Sequence, residues 1–230
     1  MKTANAKFAG LALAALLGTT VAATASAQTV EGNIALTSDY IFRGVTQTDG
    51  GPAISGGFDV ADDSGLYAGV WGSSVDFGDD TTMELDLYGG YATTLGSWDL
   101  DIGGIFYGYP DSPSAGGDQN FWEFYAGVGH ALGPLAWDAK LSWSPDFYLE
   151  SGSATYLETG LAYEFPAGVA IDARIAASTF DDLPAADYED YQIGVSGTVL
   201  QTLGWDVRYH SLSDGGDDSF VFTISQSFGG

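Results

Sequence analysis

Charged side chains occupy every second position in several segments of the chain. In Leu135–Trp143, Asp138 and Lys140 alternate with apolar residues, and Asp172-Arg174 and Asp206-Arg208 repeat the spacing. Successive side chains of a β-strand point to opposite faces, so each acid and base would lie side by side on one face. Such a row predicts a ladder that lines and narrows a polar channel, or ion pairs that neutralise buried charge. The two roles are compatible.

The basic residues are confined to this charged face. Residues 28–230 contain four of them, Arg43, Lys140, Arg174 and Arg208. An Arg or Lys that faces lipid at the middle of a bilayer costs about 2–4 kcal/mol, so a membrane barrel would keep its cations inside. The same face carries 13 acidic residues: Asp39, Asp59, Glu84, Asp86, Asp99, Asp101, Glu123, Asp138, Glu158, Glu164, Asp172, Asp190 and Asp206. This excess of carboxylates favours cations.

We expect small solutes to pass along part of this face without a covalent step. The predicted lining combines acids with all four bases. Its members are Asp39, Arg43, Glu84, Asp86, Asp99, Asp101, Asp138, Lys140, Glu158, Asp172, Arg174, Asp206 and Arg208.

Alternation of apolar with polar or small residues continues along the chain after residue 27. It predicts twelve strands, at 34–42, 54–60, 66–75, 83–91, 98–102, 121–130, 135–143, 157–165, 169–177, 191–199, 205–209 and 220–228. Twelve strands in residues 28–230 leave about 17 residues for each strand and its connection, which fits the roughly 9–11 residues of a strand that spans a bilayer. The predicted fold is all-β, a single antiparallel transmembrane β-barrel.

Short and long connections alternate between these strands. The short ones are 61–65, 94–97, 132–134, 166–168 and 202–204, and the long ones are 44–52, 76–82, 110–120, 145–154, 179–187 and 213–218. Short periplasmic turns and long extracellular loops are typical of bacterial outer-membrane barrels. The even strand number predicts that both termini are periplasmic and that the first and last strands pair. A soluble periplasmic β-sandwich is the alternative, but it gives no reason for the alternation.

The opposite face is apolar and is predicted to contact lipid. It comprises Leu100, Ile102, Phe106, Trp137, Leu141, Trp143, Leu161, Tyr163, Phe165, Ile171, Ile175, Ile193, Val195, Val199, Phe222 and Ile224. Aromatic residues near strand ends predict interfacial girdles, namely Tyr40, Phe42, Tyr91, Trp98, Tyr107, Tyr109, Phe121, Trp122 and Phe228. The facing of the segment Leu66–Val75 stays undecided, because large side chains would lie on both faces of this strand.

The first 27 residues are predicted to be a cleaved signal peptide, and residues 28–230 the barrel domain. Lys2 and Lys7 precede an apolar run, and Ala25-Ser26-Ala27 is a small-residue cleavage site. Cleavage would leave four basic and 31 acidic residues, a formal net charge of −27. Nucleic acid and anionic lipid are therefore poor partners. The chain has no cysteine, so no disulfide can form.

The residues predict no enzyme, cofactor or metal centre. His130 and His210 invite a lipase hypothesis, but no G-x-S-x-G motif accompanies them. Acidic clusters occur in three long connections, at Asp76/Asp79/Asp80, Asp181/Asp182/Asp187 and Asp214/Asp217/Asp218. They predict solvated loops or weak sites for divalent cations that bridge lipopolysaccharide.

Two segments resemble the proteobacterial TorF-family porins. They are Gly32–Thr48, GNIALTSDYIFRGVTQT, and Tyr67–Gly78, YAGVWGSSVDFG. The resemblance implies an outer-membrane β-barrel with channel function and without enzymatic activity or a cofactor. Asp39 and Arg43 belong to the first motif, although nothing makes them a binding site. The chain departs from the general outer-membrane pattern where Gly229 and Gly230 follow Phe228.

We therefore expect a porin-like channel in the bacterial outer membrane for passive diffusion of small, mainly cationic or neutral solutes. Its partners would be outer-membrane lipid, lipopolysaccharide and the solutes themselves. The alternative from another class is a non-conducting structural barrel whose acidic loops bind divalent cations, lipopolysaccharide or a partner.

Overall fold

The computed structural model describes residues 29–113, 117–166, 168–199, 202–213 and 216–229. The predicted signal peptide, residues 1–27, lies outside these ranges. Within them, twelve long strands form a closed antiparallel barrel: β1 (Thr29–Thr37), β4 (Ala53–Ala61), β5 (Leu66–Ser74), β6 (Met83–Leu95), β7 (Trp98–Gly108), β8 (Phe121–Leu132), β9 (Leu135–Ser144), β10 (Ala154–Glu164), β11 (Val169–Phe180), β12 (Tyr188–Val199), β13 (Leu203–Leu212) and β14 (Ser219–Gly229). The prediction of an all-β barrel with twelve strands is confirmed.

The first and last strands close the sheet. β1 pairs with β14 from Glu31 opposite Gly229 to Thr37 opposite Thr223, and with β4 along its other edge. All other barrel strands pair with their neighbours in sequence. A closed sheet leaves no strand edge unpaired, which is the condition for placing a β-structure in hydrocarbon.

Short and long connections alternate as predicted, so the barrel has a short-turn end and a long-loop end. The short connections include the two-residue hairpin loops 96–97 and 133–134, in which Gly96 and Gly133 adopt φ values of 68° and 65°. Glycine accepts this left-handed backbone without a steric penalty. β1 begins and β14 ends at the short-turn end. Two 3-10 turns, Tyr148–Glu150 and Pro184–Ala186, lie in long loops.

The two faces of the barrel differ in composition as the alternation predicts. On β10, for example, Leu157 and Leu161 are exposed on the outer face, while Tyr156 and Glu158 are buried inside. The structure also decides the facing of the segment Leu66–Val75. Tyr67 and Trp71 point into the lumen, and Leu66 and Ala68 lie on the outer face.

The first predicted strand, 34–42, is wrong at both ends. β1 runs from Thr29 to Thr37, and the chain then bends at Ser38 and turns into the lumen. There, β2 (Ile41–Phe42) and β3 (Val45–Thr46) pair only with each other and form a small hairpin. Thr46 and Thr48 donate hydrogen bonds to Asp39, and these local contacts compete with a straight continuation of the strand.

Four of the aromatic residues predicted for the girdles lie on the outer face. Tyr91, Trp98, Trp122 and Phe228 are exposed there. By contrast, five aromatic residues predicted for the girdles lie inside the barrel, in or against its two hydrophobic clusters: Tyr40, Phe42, Tyr107, Tyr109 and Phe121. Tyr107, Tyr109 and Phe121 alternate in phase with the inward acids Asp101 and Glu123 of the same strands, whereas Tyr40 and Phe42 belong to the connection that turns into the lumen.

The hydrophobic core fills the lumen near the long-loop end. One cluster contains Tyr40, Ala53, Trp71, Val75 and Tyr88, and the other contains Tyr107, Tyr109 and Phe121. Aromatic residues of the loops, Phe77, Phe147 and Tyr148, pack onto these clusters. Among the described residues, no helix has the length and apolar character needed to cross a membrane.

Candidate functional site

The candidate site is the lumen, into which the predicted charged residues of the strands project. Their side chains lie on the inner face of six strands: Glu84, Asp86, Asp99, Asp101, Asp138, Lys140, Glu158, Asp172, Arg174, Asp206 and Arg208. Asp39 and Arg43 belong to the connection between β1 and β4, which folds inward. The structure therefore brings all thirteen residues to the interior, although it holds them in different ways.

On β9 to β13, carboxylates pair with cations, and we call this inner face the ion-pair wall. Arg174 lies between two acids and contacts Asp138 at 3.2 Å and Glu158 more closely. The Lys140 Nζ atom lies 3.0 Å from Glu158 Oε1. Because Arg174 and Glu158 keep less than a tenth of their side-chain surface exposed, this network is shielded from water.

Arg208 forms the second ion-pair network of this wall. Its guanidinium contacts Asp172 at 2.5 and 2.9 Å and Asp206 at 2.9 Å. Gly194 on the neighbouring strand leaves the necessary space, since a Cβ atom there would lie 2.5 Å from Arg208 Cζ. The side-chain oxygen of Gln192 accepts a further hydrogen bond from the same guanidinium at 3.3 Å.

The predicted pairing of neighbours two positions apart is correct for Asp206 and Arg208 only. Lys140 pairs with Glu158 on the adjacent strand, and Arg174 on β11 pairs with Glu158 on adjacent β10 and with Asp138 on β9, one strand further. Strands are about 4.8 Å apart, whereas residues i and i+2 on one strand are nearly 7 Å apart. A long cationic side chain therefore reaches a carboxylate across the sheet more readily than along the strand.

On β4 to β8, carboxylates accept hydrogen bonds from tyrosine hydroxyls, and we call this inner face the acid–tyrosine wall. Tyr67 donates to Asp101 at 2.7 Å and also contacts the Tyr125 hydroxyl. Tyr88 donates to Asp59. A phenol neutralises no charge, so this wall carries a higher density of negative charge than the opposite wall.

Glu84 is the most deeply buried acid of this wall, with 2% of its surface exposed. It accepts hydrogen bonds from Tyr40 at 2.8 Å and from Tyr109 at 3.0 Å. Tyr40 comes from the inward connection and Tyr109 from the end of β7. The carboxylate therefore ties the loop region to the barrel wall.

Glycines on this wall make room for the tyrosine rings. A Cβ atom on Gly69 would lie 2.2 Å from the Tyr88 ring, and one on Gly103 would lie 2.3 Å from the Tyr125 hydroxyl. Each ring thus lies against the backbone of the next strand. Close contact between an aromatic ring and a glycine shields the exposed backbone and fixes the ring orientation.

The hairpin of β2 and β3 crosses the lumen. The Arg43 guanidinium at its tip lies 2.5 Å from Glu123 on β8 and stacks over Tyr156 on β10, at 4.2 Å from the ring centroid. β1 lies five strands from both β8 and β10 around the barrel. The hairpin therefore reaches from one side of the barrel to the opposite side.

The two ends of the lumen differ in how much water reaches the inner face. Near the long-loop end, inward residues such as Trp71, Tyr107, Ser142 and Ala176 are buried. Toward the short-turn end, inward residues such as Asp206 are partly exposed, and Asp99 is exposed. The lumen is thus a cup that opens at the short-turn end and is narrowed at the long-loop end by the hairpin and the aromatic clusters.

The acidic loops use their carboxylates in local hydrogen bonds. Thr81 donates to Asp79 and Thr82 to Asp111, and these bonds hold the pKa values of both carboxyls below their ordinary range. Ser153 donates to Asp181 and the backbone of Phe180 to Asp187. Within the described residues, no group of three or more His, Asp or Glu side chains is arranged to hold a metal ion. Asp214 lies outside the described residues.

Sequence reasoning did not identify the tyrosine donors or the inward hairpin. Tyr88 and Tyr125 lie two residues after the inward acids Asp86 and Glu123, and this spacing was a signal for two of the donors. Tyr67 has no acid on its strand and offered no such signal. For the hairpin, the signal was the Arg43-Gly44 pair between Ile41-Phe42 and Val45-Thr46. Both residues of the pair adopt positive φ values, 51° and 82°, as a two-residue hairpin turn requires. His130 stacks on Trp98 at a centroid distance of 4.3 Å on the outer face, and His210 is half-buried inside.

The barrel is similar to solved outer-membrane channels. The match to the KdgM porin, solved in complex with disordered oligogalacturonate, has a TM-score of 0.59 at 9% identity and covers 87% of this chain and 99% of that one. The match to an outer-membrane channel from Pseudomonas putida F1 has a TM-score of 0.51 at 10% identity and covers 90% and 97%. At these identities the likeness shows the shared fold.

No curated protein matches the chain. A family model matches residues 21–228, which is most of the sequence. The chain belongs to this family, described as a bacterial protein of unknown function (Gcw_chp).

Proposed function

We propose that the protein is an outer-membrane channel for passive diffusion of small solutes and that it prefers cations. The observation that carries the proposal is the charge of the lumen. All four basic residues beyond residue 27 are engaged with carboxylates, whereas Asp59, Glu84 and Asp101 have tyrosine partners instead. The free charge of the interior is therefore negative, and it would attract cations.

The apolar outer face and the closed sheet support insertion into a lipid bilayer. Together with the predicted signal peptide, they favour the outer membrane, with β1 and β14 starting and ending in the periplasm and the long loops outside. Lipid and lipopolysaccharide would then surround the barrel. The resemblance of its opening motif to TorF-family porins agrees with this assignment and remains a prediction.

Purified protein in planar bilayers tests the proposal. We expect a conductance whose reversal potential in a KCl gradient corresponds to a higher permeability for K⁺ than for Cl⁻. Asp206 is the most exposed member of the ion pairs at 25% of its side chain, so Asp206→Asn should lower the permeability ratio. An insulating barrel, or a preference for Cl⁻, would contradict the proposal.

A second candidate is a structural barrel that does not conduct and whose acidic loops bind divalent cations, lipopolysaccharide or a partner. The burial of inward residues at the long-loop end favours it, because little space for water remains there. A deletion strain with normal solute uptake and a weakened envelope would support this candidate. Binding of Mg²⁺ to the purified protein, measured by calorimetry, would test its cation component.

A further inference from the structure

The base and the tip of the β2–β3 hairpin are held by different kinds of contact. Its base is a compact hydrogen-bonded unit. Asp39 accepts hydrogen bonds from Thr46 at 2.7 Å and from Thr48 at 2.9 Å, and Thr48 in turn accepts one from the Tyr40 backbone at 3.1 Å. Gly50 donates to Thr46 at 2.9 Å. The base is therefore held by its own hydrogen bonds and, through Tyr40, by Glu84 of the near wall.

The tip of the hairpin is held on the far wall by side chains. Arg43 makes the ion pair with Glu123 and lies over the rings of Phe42 and Tyr156, at 4.8 and 4.2 Å from their centroids. In the described part of the chain, the backbone pairing of Ile41–Thr46 stays within the hairpin and does not extend the barrel sheet. Phe42, next to Arg43, packs on the Tyr107 ring at 5.7 Å between centroids, so the far attachment combines one ion pair with aromatic contacts.

Gly44 shows how closely the tip approaches the wall. A Cβ atom on this residue would lie 2.4 Å from the Leu212 side chain on β13 and 2.9 Å from the Cβ atom of Asp190 on β12. The tip therefore touches β8, β10, β12 and β13 and closes the space between them. Arg43 adopts a φ of 51°, a backbone region that is disfavoured for residues other than glycine and that its docked side chain stabilises.

We propose that this hairpin is a gate, latched by Arg43 on Glu123 and Tyr156, and that solutes cross the long-loop end when the latch releases and the tip leaves the far wall. The inference rests on the proposed channel function. A base fixed on the near wall and a tip held on the far wall by one ion pair and ring contacts form a two-state arrangement, since the tip is either docked or free. Docking excludes water from the latch, which strengthens the ion pair, and release would hydrate both partners.

A reversible disulfide tests the gate. The chain has no cysteine, so Gly44→Cys with Asp190→Cys can form one disulfide, and the approach of the two Cβ positions allows it after a small shift. In planar bilayers, the oxidised protein should conduct at least tenfold less than the same protein after reduction with dithiothreitol. Gly44→Cys alone, treated identically, is the matched control and should not respond. Gly44→Cys with Leu212→Cys serves if the first pair does not oxidise.

The opposite change should open the gate. Arg43→Gln with Glu123→Gln removes both charges of the latch and leaves neither partner as an unpaired ion. We expect the fraction of time in the open state to rise at least tenfold over the unchanged protein. An equal open fraction, in a barrel that migrates as folded on a heat-dependent gel, would contradict the latch.

A variant in which Gly and Ser residues replace Ile41–Thr46 distinguishes failure of the gate from failure of the channel. We call it the Gly-Ser variant. If this variant conducts while the cross-linked protein conducts as well as its reduced form, the gate is wrong and the channel stands. If the Gly-Ser variant is folded but does not conduct, the channel proposal fails, and the gate fails with it. Conductance in the Gly-Ser variant, together with a cross-linked protein that does not conduct, would support both the channel and the gate.

Discussion

The two sides of the lumen satisfy their carboxylates in different ways. On the ion-pair wall, Arg174 and Arg208 each contact two acids. On the acid–tyrosine wall, Tyr67 and Tyr88 donate to Asp101 and Asp59. A cation removes the net charge that a phenol leaves in place, so the lumen is less negative along the ion-pair wall than along the acid–tyrosine wall.

This difference also separates two kinds of stability. Removing one member of a buried ion pair strands the other charge, whereas removing a hydroxyl loses one hydrogen bond to a charged acceptor. The ion-pair wall should therefore be sensitive to loss of charge, and the acid–tyrosine wall to loss of donors and to crowding. Four predictions follow this contrast.

The largest effect is expected for Arg174→Gln. The substitution leaves Asp138 and Glu158 without their shared cation in a shielded part of the wall. We expect the free energy of unfolding to fall by about 3–5 kcal/mol, measured by urea unfolding in lipid vesicles. Lys140→Gln is the matched control, because Arg174 still neutralises Glu158, and its loss should be at most about 1 kcal/mol. Equal losses in the two variants would contradict the central role of Arg174.

Tyr67→Phe should have a smaller effect on the acid–tyrosine wall. The variant keeps the ring but leaves Asp101 without its donor. A hydrogen bond to a charged group contributes about 1.5–3 kcal/mol, and we expect a loss of that size in the same unfolding experiment. Tyr163→Phe on the outer face is the control, with an expected change within about 0.5 kcal/mol. If both variants unfold alike, the hydroxyl of Tyr67 does not stabilise this wall.

Crowding at a glycine of the same wall should cost about 1–3 kcal/mol. In Gly103→Ala the new methyl group would lie 2.3 Å from the Tyr125 hydroxyl and 2.8 Å from a backbone oxygen. In Gly127→Ala, also inside the lumen, no atom lies closer than 3.8 Å to the new methyl group. We expect only the first variant to lower the urea midpoint. A neutral Gly103→Ala would show that the ring and the backbone are not tightly packed.

The smallest effect concerns the loops above the acid–tyrosine wall. Hydrogen bonds from Thr81 and Thr82 lower the pKa values of Asp79 and Asp111, so their contribution to loop stability is complete above the ordinary Asp value of about 3.9 and is lost as the pH falls through the lower folded-state values. The amide resonances of Thr81 and Thr82 should therefore titrate with midpoints below about 3.9. Asp79→Asn should abolish the titration of Thr81 alone. A midpoint at or above 3.9 would contradict this prediction.

The barrel could be predicted from the sequence because its physical cause is local. Alternation along each strand, as in Leu135–Trp143, reports which side chains face each side. The alternation of short and long connections gives the order of the strands and the closure of the sheet. Both kinds of information lie in contiguous residues, so the twelve-strand prediction is confirmed without knowledge of which side chains meet.

The arrangement inside the lumen could be predicted only in part. Parity placed the charges inside, but it did not identify the partner of Lys140 or Arg174, because pairing across a sheet depends on the register between strands. The inward turn after Thr37 was missed for a similar reason. Tyr40 and Phe42 fit a girdle by position, and only contacts with distant residues such as Glu84 and Tyr107 explain their burial.

The sequence by itself determined the all-β fold, the number of strands and the inward face of the charges on the barrel strands that form the two walls, since these follow from a two-residue period and from the composition of the connections. The tertiary structure alone decided that tyrosines hold Asp59, Glu84 and Asp101 on one wall, that cations on the other reach carboxylates one and two strands away, and that Arg43 carries a hairpin across the lumen to Glu123. Those contacts join residues far apart in the chain, and their geometry exists only after the barrel has closed.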